Sequence, residues 1–519
     1  MARRASAPLR LAEMVASLSL ATDLGLGLPQ EHVLRQTVIA TRLARIAGCS
    51  DDEQAAVFYV SLLAWVGCIA DSPEMTHWFG DDRTLRAESY EVDKTGLPMM
   101  AFMFRHVGAG TSPVRRITVI GRFLAAGRRD AMNSFVTHCQ TTGDIADRLG
   151  LSDAVGRALS HAFERWDGKG TPDGLRGDQI ERVTRIVQVA DDAEVIARTH
   201  GLDAAIAMLR ERRGTEFDPA LVDAVLAHVD DVLGGLDEVD AWSLVIDGSA
   251  ALDRQLSERD LDDVLATFAD YADLKSTWFL GHSRAVAELA ADAAGRIGLK
   301  VGDIALTRRA ALVARLGVTG VANSVWDKPG PLTAFERERV QTVPYLTERV
   351  LSRHPRLAEL GAVAALVHER MDGSGYPRGA AGAAIPIPAR LIAAAEMYVA
   401  TGEARPHRAA LDDRARVALL RAEAEAGRLD PDAVNAVLGA AGHRVPRRRT
   451  AINGLTEREV EVLALLVRGR SNKEVAASLS VSAKTVGSHV EHIYAKTGVR
   501  TRGALAMFAM RHGLIDAGE

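Results

Sequence analysis

Cysteine is nearly absent: Cys49, Cys68 and Cys139 are the only three in 519 residues, and no two form a CxxC pair. That count and spacing exclude a disulfide framework and a structural zinc knot. Aromatic residues make up 5% of the chain, and no apolar run approaches the roughly 20 residues that span a bilayer. Positive charge is not in excess either. The net charge is −5, so any surface for a polyanion has to be local. The opening MARRASAPLRLAEMVASLSLATDLG sets basic residues ahead of apolar ones, as a secretory leader does. Glu13 and Asp23 interrupt it, however, and its spacing is that of an amphipathic helix. The expectation is a soluble, cytoplasmic chain with no membrane partner.

Hydrophobic residues at 47% with charged residues at 25% exclude long disorder. The length suggests about three domains. Segments 31–47, 144–164, 282–297 and 347–367 carry apolar residues at three- and four-residue spacing, the pattern of packed helices, so the expected fold class is all-α. An acidic stretch around 229–263 and a basic, proline-containing one at 443–450 read as boundaries. They divide the chain into 1–245, 255–442, a linker at 443–450, and 451–519, with a local positive excess over 443–519.

The first two segments repeat one another. An offset of 250 sets Asp23 on Asp273, His32 on His282, Gly48 on Gly298, Leu62 on Leu312 and Gly67 on Gly317. An offset of 205 sets Glu164 on Glu369, Arg165 on Arg370, Asp167 on Asp372, Pro172 on Pro377 and Arg185 on Arg390. The change of offset gives the first copy about 45 extra residues between the two blocks. Two ungapped blocks mark a duplication.

The second copy holds KPGPLT (Lys328–Thr333) and HERMDGSGYPRG (His368–Gly379), and the first holds FERWDGKGTP (Phe163–Pro172) at the matching place. These motifs resemble the HD-GYP branch of the HD metal-dependent phosphohydrolases, helical cyclic-dinucleotide phosphodiesterases. The resemblance implies metal ions that activate a water, held by His and carboxylate ligands around an adjacent His-Asp pair. Asp23, His32, His138 and Asp191 stand at ligand positions in the first copy, and Asp273, His282, His368 and Glu396 in the second. The His-Asp pair is Ala64-Trp65 in one and Ala314-Arg315 in the other; the His-His pair is Ala162-Phe163 in the first, and its first member is Val367 in the second. On that pattern the chain is expected to be no enzyme, with vestigial ligand positions and no cofactor.

The surviving residues admit more than one role. His32 and His282 are either hydrogen-bonded, buried histidines or ligands, and the first copy's four positions are enough for a single weak ion. Asp372-Gly-Ser-Gly375 is most simply a turn. Arg315 either pairs with Glu396 as a fork to a carboxylate, receives an anionic ligand such as a nucleotide phosphate, or faces solvent.

Residues 454–515 show four helices on physical signals alone. Thr456 with Glu459 and Ser471 with Glu474 form capping boxes. Ser482 is an N-cap, Val486, Val490, Ile493 and Thr497 share one face, and Gly469 and Gly498 stand at helix ends. A turn through Leu479-Ser480-Val481 makes a helix-turn-helix. LTEREVEVL, NKEVA, SxKTVxSHVxxIYxK and RHGLI resemble the LuxR/FixJ-type DNA-binding domain over about 65 residues. The resemblance implies a recognition helix at 483–497 in the major groove. Ser488 and Glu491 are candidates for base edges, with Gly487 allowing close approach. Lys473, Lys484, Thr485, His492 and Lys496 are candidates for phosphate, and His489 either touches phosphate or covers the apolar face. Arg444, Arg447, Arg448 and Arg449 are either a solvated linker or an aid to DNA association.

The whole reads as a transcriptional regulator, a homodimer on double-stranded DNA. Its duplicated HD-like body senses a small anionic or nucleotide effector or mediates oligomerisation. The alternative is a phosphohydrolase with residual activity joined to a DNA reader.

Overall fold

The computed structural model describes residues 8–93, 96–236, 240–247, 254–445, 455–479, 481–512 and 514. Among them there is no β-strand, only isolated bridges, so the chain is all-α. Arg447, Arg448, Arg449, Ser480 and part of RHGLI lie outside the described residues. The chain forms two compact units, Met1–His443 and Arg444–Glu519. No single described helix is long and apolar enough to cross a membrane.

In the larger unit, α1 (Leu11–Leu26), α2 (His32–Ile46) and α3 (Asp51–Leu63) open the first copy. Four helices follow: α4 (Ser72–Phe79), α5 (Asp82–Ser89), α6 (Gly96–His106) and α7 (Pro113–Arg122). They contain the extra length of this copy and have a core of their own around Trp78, Phe79, Leu85, Phe102 and Val107. Helices α8 (Arg128–Arg148) and α9 (Arg182–His200) complete the site-bearing part. The second copy repeats the pattern with α10 (Glu258–Asp273), α11 (His282–Arg296), α12 (Val301–Val313), α13 (Val343–Leu351) and α14 (Ile387–Gly402).

The duplication is visible in the packing. Helix α2 touches α3 and α9, as α11 touches α12 and α14. Gly67 and Gly317 sit at equivalent close approaches, where a Cβ would overlap the backbone carbonyl of His138 or of Val343. The matching arginines Arg185 and Arg390 reach Asp218 at 2.7 Å and Asp430 at 2.8 Å.

Helix α1 departs from the amphipathic expectation. Fifteen of its 16 residues are buried, including Glu13, Ser17 and Ser19. The second copy packs onto the side that would have faced water. Thr319 Oγ1 donates to the Ala21 carbonyl at 2.9 Å, and Leu9 and Leu11 exchange backbone hydrogen bonds with Leu256 and Arg254, each of 2.9 Å. Buried hydroxyls on α1 survive because Ser17 and Ser19 donate to carbonyls of the helix's preceding turn.

The smaller unit is α15 (Glu457–Val467), α16 (Asn472–Leu479), α17 (Ala483–Thr497) and α18 (Arg502–Arg511) around Leu463, Val475, Val486, Ile493 and Leu505. Both capping boxes form: Glu459 accepts from Thr456 N at 2.6 Å and Glu474 from Ser471 N at 2.7 Å. Ser482 accepts from Thr485 N at 3.0 Å, and Gly498 ends α17 at φ 71°, where a side chain would be strained.

Candidate functional site

In the first copy, α2 and α9 bring His32, Asp191 and Glu194 together in a fully buried cluster. His32 Nδ1 lies 2.6 Å from Glu194 and Nε2 lies 3.1 Å from Asp191. Burial opposes charge on the ring, but the two carboxylates outweigh it and push the His32 pKa up to about 10. Glu194 was not among the expected residues, although its position three after Asp191 sets both on one face of α9. Asp191 Oδ1 also receives the Trp65 indole N–H at 2.9 Å. Asp23 caps α2, accepting from Val33 N at 3.1 Å, and burial raises its pKa to about 7. His138 donates from Nε2 to the Ala64 carbonyl at 2.8 Å and packs against Trp65 and Phe163. Burial lowers its pKa to about 4.

The second copy builds the same clamp from other residues. His282 stands between Glu396 and Glu403, each 2.8 Å from a ring nitrogen. Burial again opposes charging, and the carboxylates again raise the pKa. Asp273 caps α11 through Ser283 N at 2.8 Å. His368 stacks on Tyr376 with ring centroids 5.1 Å apart, and burial lowers its pKa to about 4. Arg315 is not a fork on Glu396. Its Nη1 lies 3.6 Å from Glu396 and its Nε 3.9 Å from Asp273, with the guanidinium 4.3 Å over the Phe279 ring. Glu396 is already hydrogen-bonded to His282, and Arg315 Nε and Nη2 are buried without a hydrogen-bond partner.

The metal ions of the resembled family do not fit these side chains as they stand. Ala64-Trp65 and Ala314-Arg315 stand at the His-Asp positions, and Ala162-Phe163 and Val367 at the His-His positions; alanine, tryptophan, phenylalanine and valine offer no ligand atom, and the Arg315 guanidinium repels a cation. Among the described residues no group of three His, Cys, Asp or Glu side chains is arranged to hold an ion.

In the smaller unit, Val486 and Ile493 are buried, while Lys484, Thr485, Ser488, Glu491 and His492 on α17 are exposed, as is Lys473 on α16. Gly487 and His489 are half-buried at the edge of that surface. Lys496 is tied down: its Nζ lies 2.7 Å from Glu459, the buried capping residue of α15.

A family model described as HD domain matches residues 129–221 and 266–433, and one described as bacterial regulatory proteins, luxR family, matches 453–509. The chain is 30% identical over 405 residues to the 3′3′-cGAMP-specific phosphodiesterase 3 of Vibrio cholerae, covering 77% of this chain and 88% of that one. It is 37% identical over 184 residues to the cyclic di-GMP phosphodiesterase response regulator RpfG of Xanthomonas campestris, or 35% of this chain and 47% of that one. Over 74 residues it is 38% identical to the response regulator protein VraR of Staphylococcus aureus, 14% of this chain and 35% of that one. A crystal structure of a cyclic GMP-AMP specific phosphodiesterase of V. cholerae matches with a TM-score of 0.59 at 26% identity, covering 85% of this chain and 99% of that one.

These likenesses overturn the expectation that the chain is no enzyme. Its relatives along the body are phosphodiesterases and point to phosphohydrolase activity; the substituted pairs at 64–65 and 314–315 do not by themselves establish its loss. Matched along both copies and covering 88% of the V. cholerae relative, the chain belongs to the HD domain family, with a luxR-family domain at its C-terminal end.

Proposed function

We propose that the chain is a DNA-binding transcriptional regulator whose HD body engages a cyclic dinucleotide and thereby adjusts DNA binding. The observation that carries the DNA half is the exposed row Lys484, Ser488 and Glu491 on α17, opposite the buried Val486 and Ile493, in a domain that matches the luxR family. Two such domains on paired half-sites imply a homodimer, and DNA as partner implies the cytoplasm. The nucleotide half is supported by the phosphodiesterase relatives and by Arg315, whose Nε and Nη2 make no hydrogen bond within the protein.

A ligand alters DNA binding only if it prefers one conformation of the body. The test therefore measures the full chain's affinity for operator fragments recovered by genomic capture, with and without 3′3′-cGAMP and cyclic di-GMP, and assays hydrolysis of both in the same samples. A ligand-dependent change in affinity that disappears in Arg315→Ala is the expected result. Unchanged affinity together with no turnover and no binding removes the nucleotide half. Failure to retain any genomic DNA removes the other.

A further inference from the structure

The first copy contains a cavity of about 400 Å³ that the second copy does not share in sequence, because its roof is the extra segment. Trp65 and Phe163, which replaced site residues, form the floor, and Trp78, Met99, Met103 and Phe123 form the roof. The volume lies within the roughly 300–1,000 Å³ of small-molecule sites.

The walls decide the class of occupant. Their rings already meet edge to face or tilted: Trp78 and Phe123 lie 5.4 Å apart, and Trp65 and Phe163 lie 5.8 Å apart. Such an array accepts another ring in the same geometry, and the two methionines adapt to its outline. Each cation on the wall already faces a carboxylate. Arg86 is bonded to Asp71 and Asp82, Arg165 lies 3.4 Å from Glu216 and 3.3 Å from Asp167, and Lys169 lies 3.6 Å from Asp167. Asp71, Glu164, Asp191, Asp192 and Glu216 line the same space, so acids outnumber bases around it. A phosphate or other anion would enter against that balance: even Arg165 Nη1, which makes no hydrogen bond, lies beside the Glu216 carboxylate.

We infer that the cavity between Trp65 and Phe163 of the first copy and its inserted helices is a binding site for an uncharged, ring-bearing apolar small molecule. This site is separate from the Arg315 region of the second copy and independent of the nucleotide proposal.

N-phenyl-1-naphthylamine, an uncharged fluorescent probe, tests this on the full chain. It binds at one saturable site per chain with a blue-shifted emission. Its sulfonated relative 1-anilinonaphthalene-8-sulfonate binds at least tenfold more weakly. Ala131→Trp and Met103→Trp, which fill the cavity from different walls, each weaken the uncharged probe at least tenfold while leaving the unfolding temperature near wild type. Absence of saturable binding, or equal binding of the sulfonate, overturns the assignment using wild-type protein alone. So does undiminished binding in both folded variants, or displacement of the probe by 3′3′-cGAMP, which would make the cavity a nucleotide pocket.

Discussion

Lys275 Nζ stands 2.7 Å from Asp82 Oδ2, and neither side chain reaches solvent. Lys275 follows α10 of the second copy and Asp82 begins α5 in the insertion of the first, so the contact fastens the inserted helices to the opposite copy. Asp82 also accepts from Arg86 at 2.9 Å and from Asn323 N at 3.0 Å. Burial disfavours its charge, but Lys275 and Arg86 outweigh that and hold its carboxyl well below the usual range. Breaking a buried pair leaves an uncompensated charge. Asp82→Asn is therefore expected to cost about 3–5 kcal/mol in urea unfolding. Adding Lys275→Met should recover part of that loss; strictly additive losses would show that the two charges do not interact.

On the acid limb of stability two buried histidines act against two buried carboxyls, Asp23 and Asp71, whose pKa values burial raises to about 7 and about 6. Burial holds His138 and His368 at about 4, below the ordinary value of 6.5. The unfolded chain then takes up their protons first, so the stability they contribute above pH 6.5 is lost as the pH falls towards 4. Each accounts for about 3 kcal/mol across that window. His32 has the opposite sign. With its pKa near 10, its contribution is complete below pH 6.5 and declines as the pH rises towards 10. The two windows do not overlap. As the pH falls from about 6.5 to about 4.5, the stability of wild type in urea unfolding relative to His138→Gln, which keeps a donor for the Ala64 carbonyl, should decline steadily, because Asp23 and Asp71 contribute alike to both proteins. Equal slopes would contradict the buried neutral state of His138.

What could be read from the chain beforehand divides along the same line as local and long-range contacts. The capping boxes at Thr456 and Ser471 involve partners three residues apart, and the helical class follows from spacing within single segments. The burial of α1 depends on two copies closing over it, so its own sequence looks amphipathic. Asp82 and Lys275 are 193 residues apart, and nothing near either names the other. The inserted segment showed only as extra length, because its role as a roof exists only once Trp65 and Phe163 are placed beneath it. A fork from Arg315 to Glu396 does not form, because His282 is hydrogen-bonded to that carboxylate at 2.8 Å while Arg315 Nη1 lies 3.6 Å away.

Glu369 organises the GYP-type loop of the second copy. Its carboxylate, 2% exposed, accepts from Arg378 N at 2.7 Å and Ala380 N at 2.9 Å. Glu164 does the same in the first copy for Asp173, Gly174 and Leu175. An amide can offer only one acceptor atom and sets a donor against one of the backbone N–H groups. Glu369→Gln should destabilise by about 1–3 kcal/mol. Limited proteolysis should then cut within 370–380 sooner than elsewhere in the larger unit; an unchanged cleavage pattern would assign the loop's order to other contacts.

The α17 surface separates three kinds of residue by what their loss does. Lys484 is exposed on α17. Lys484→Ala is expected to weaken all DNA sequences alike and to lower the salt-dependence slope by about 1. Ser488→Ala and Glu491→Ala should each cost about 1–3 kcal/mol on the operator and much less on unrelated duplex, because base-edge contacts carry sequence information. Lys496 belongs to neither group, since its ammonium is held 2.7 Å from Glu459. Its replacement by alanine should lower the unfolding temperature of the C-terminal unit while leaving the salt slope near wild type. Fluorescence anisotropy over a series of salt concentrations, run on operator and scrambled duplexes, distinguishes the three. A Lys496→Ala variant that loses a full unit of slope with unchanged stability would move that residue to the phosphate group.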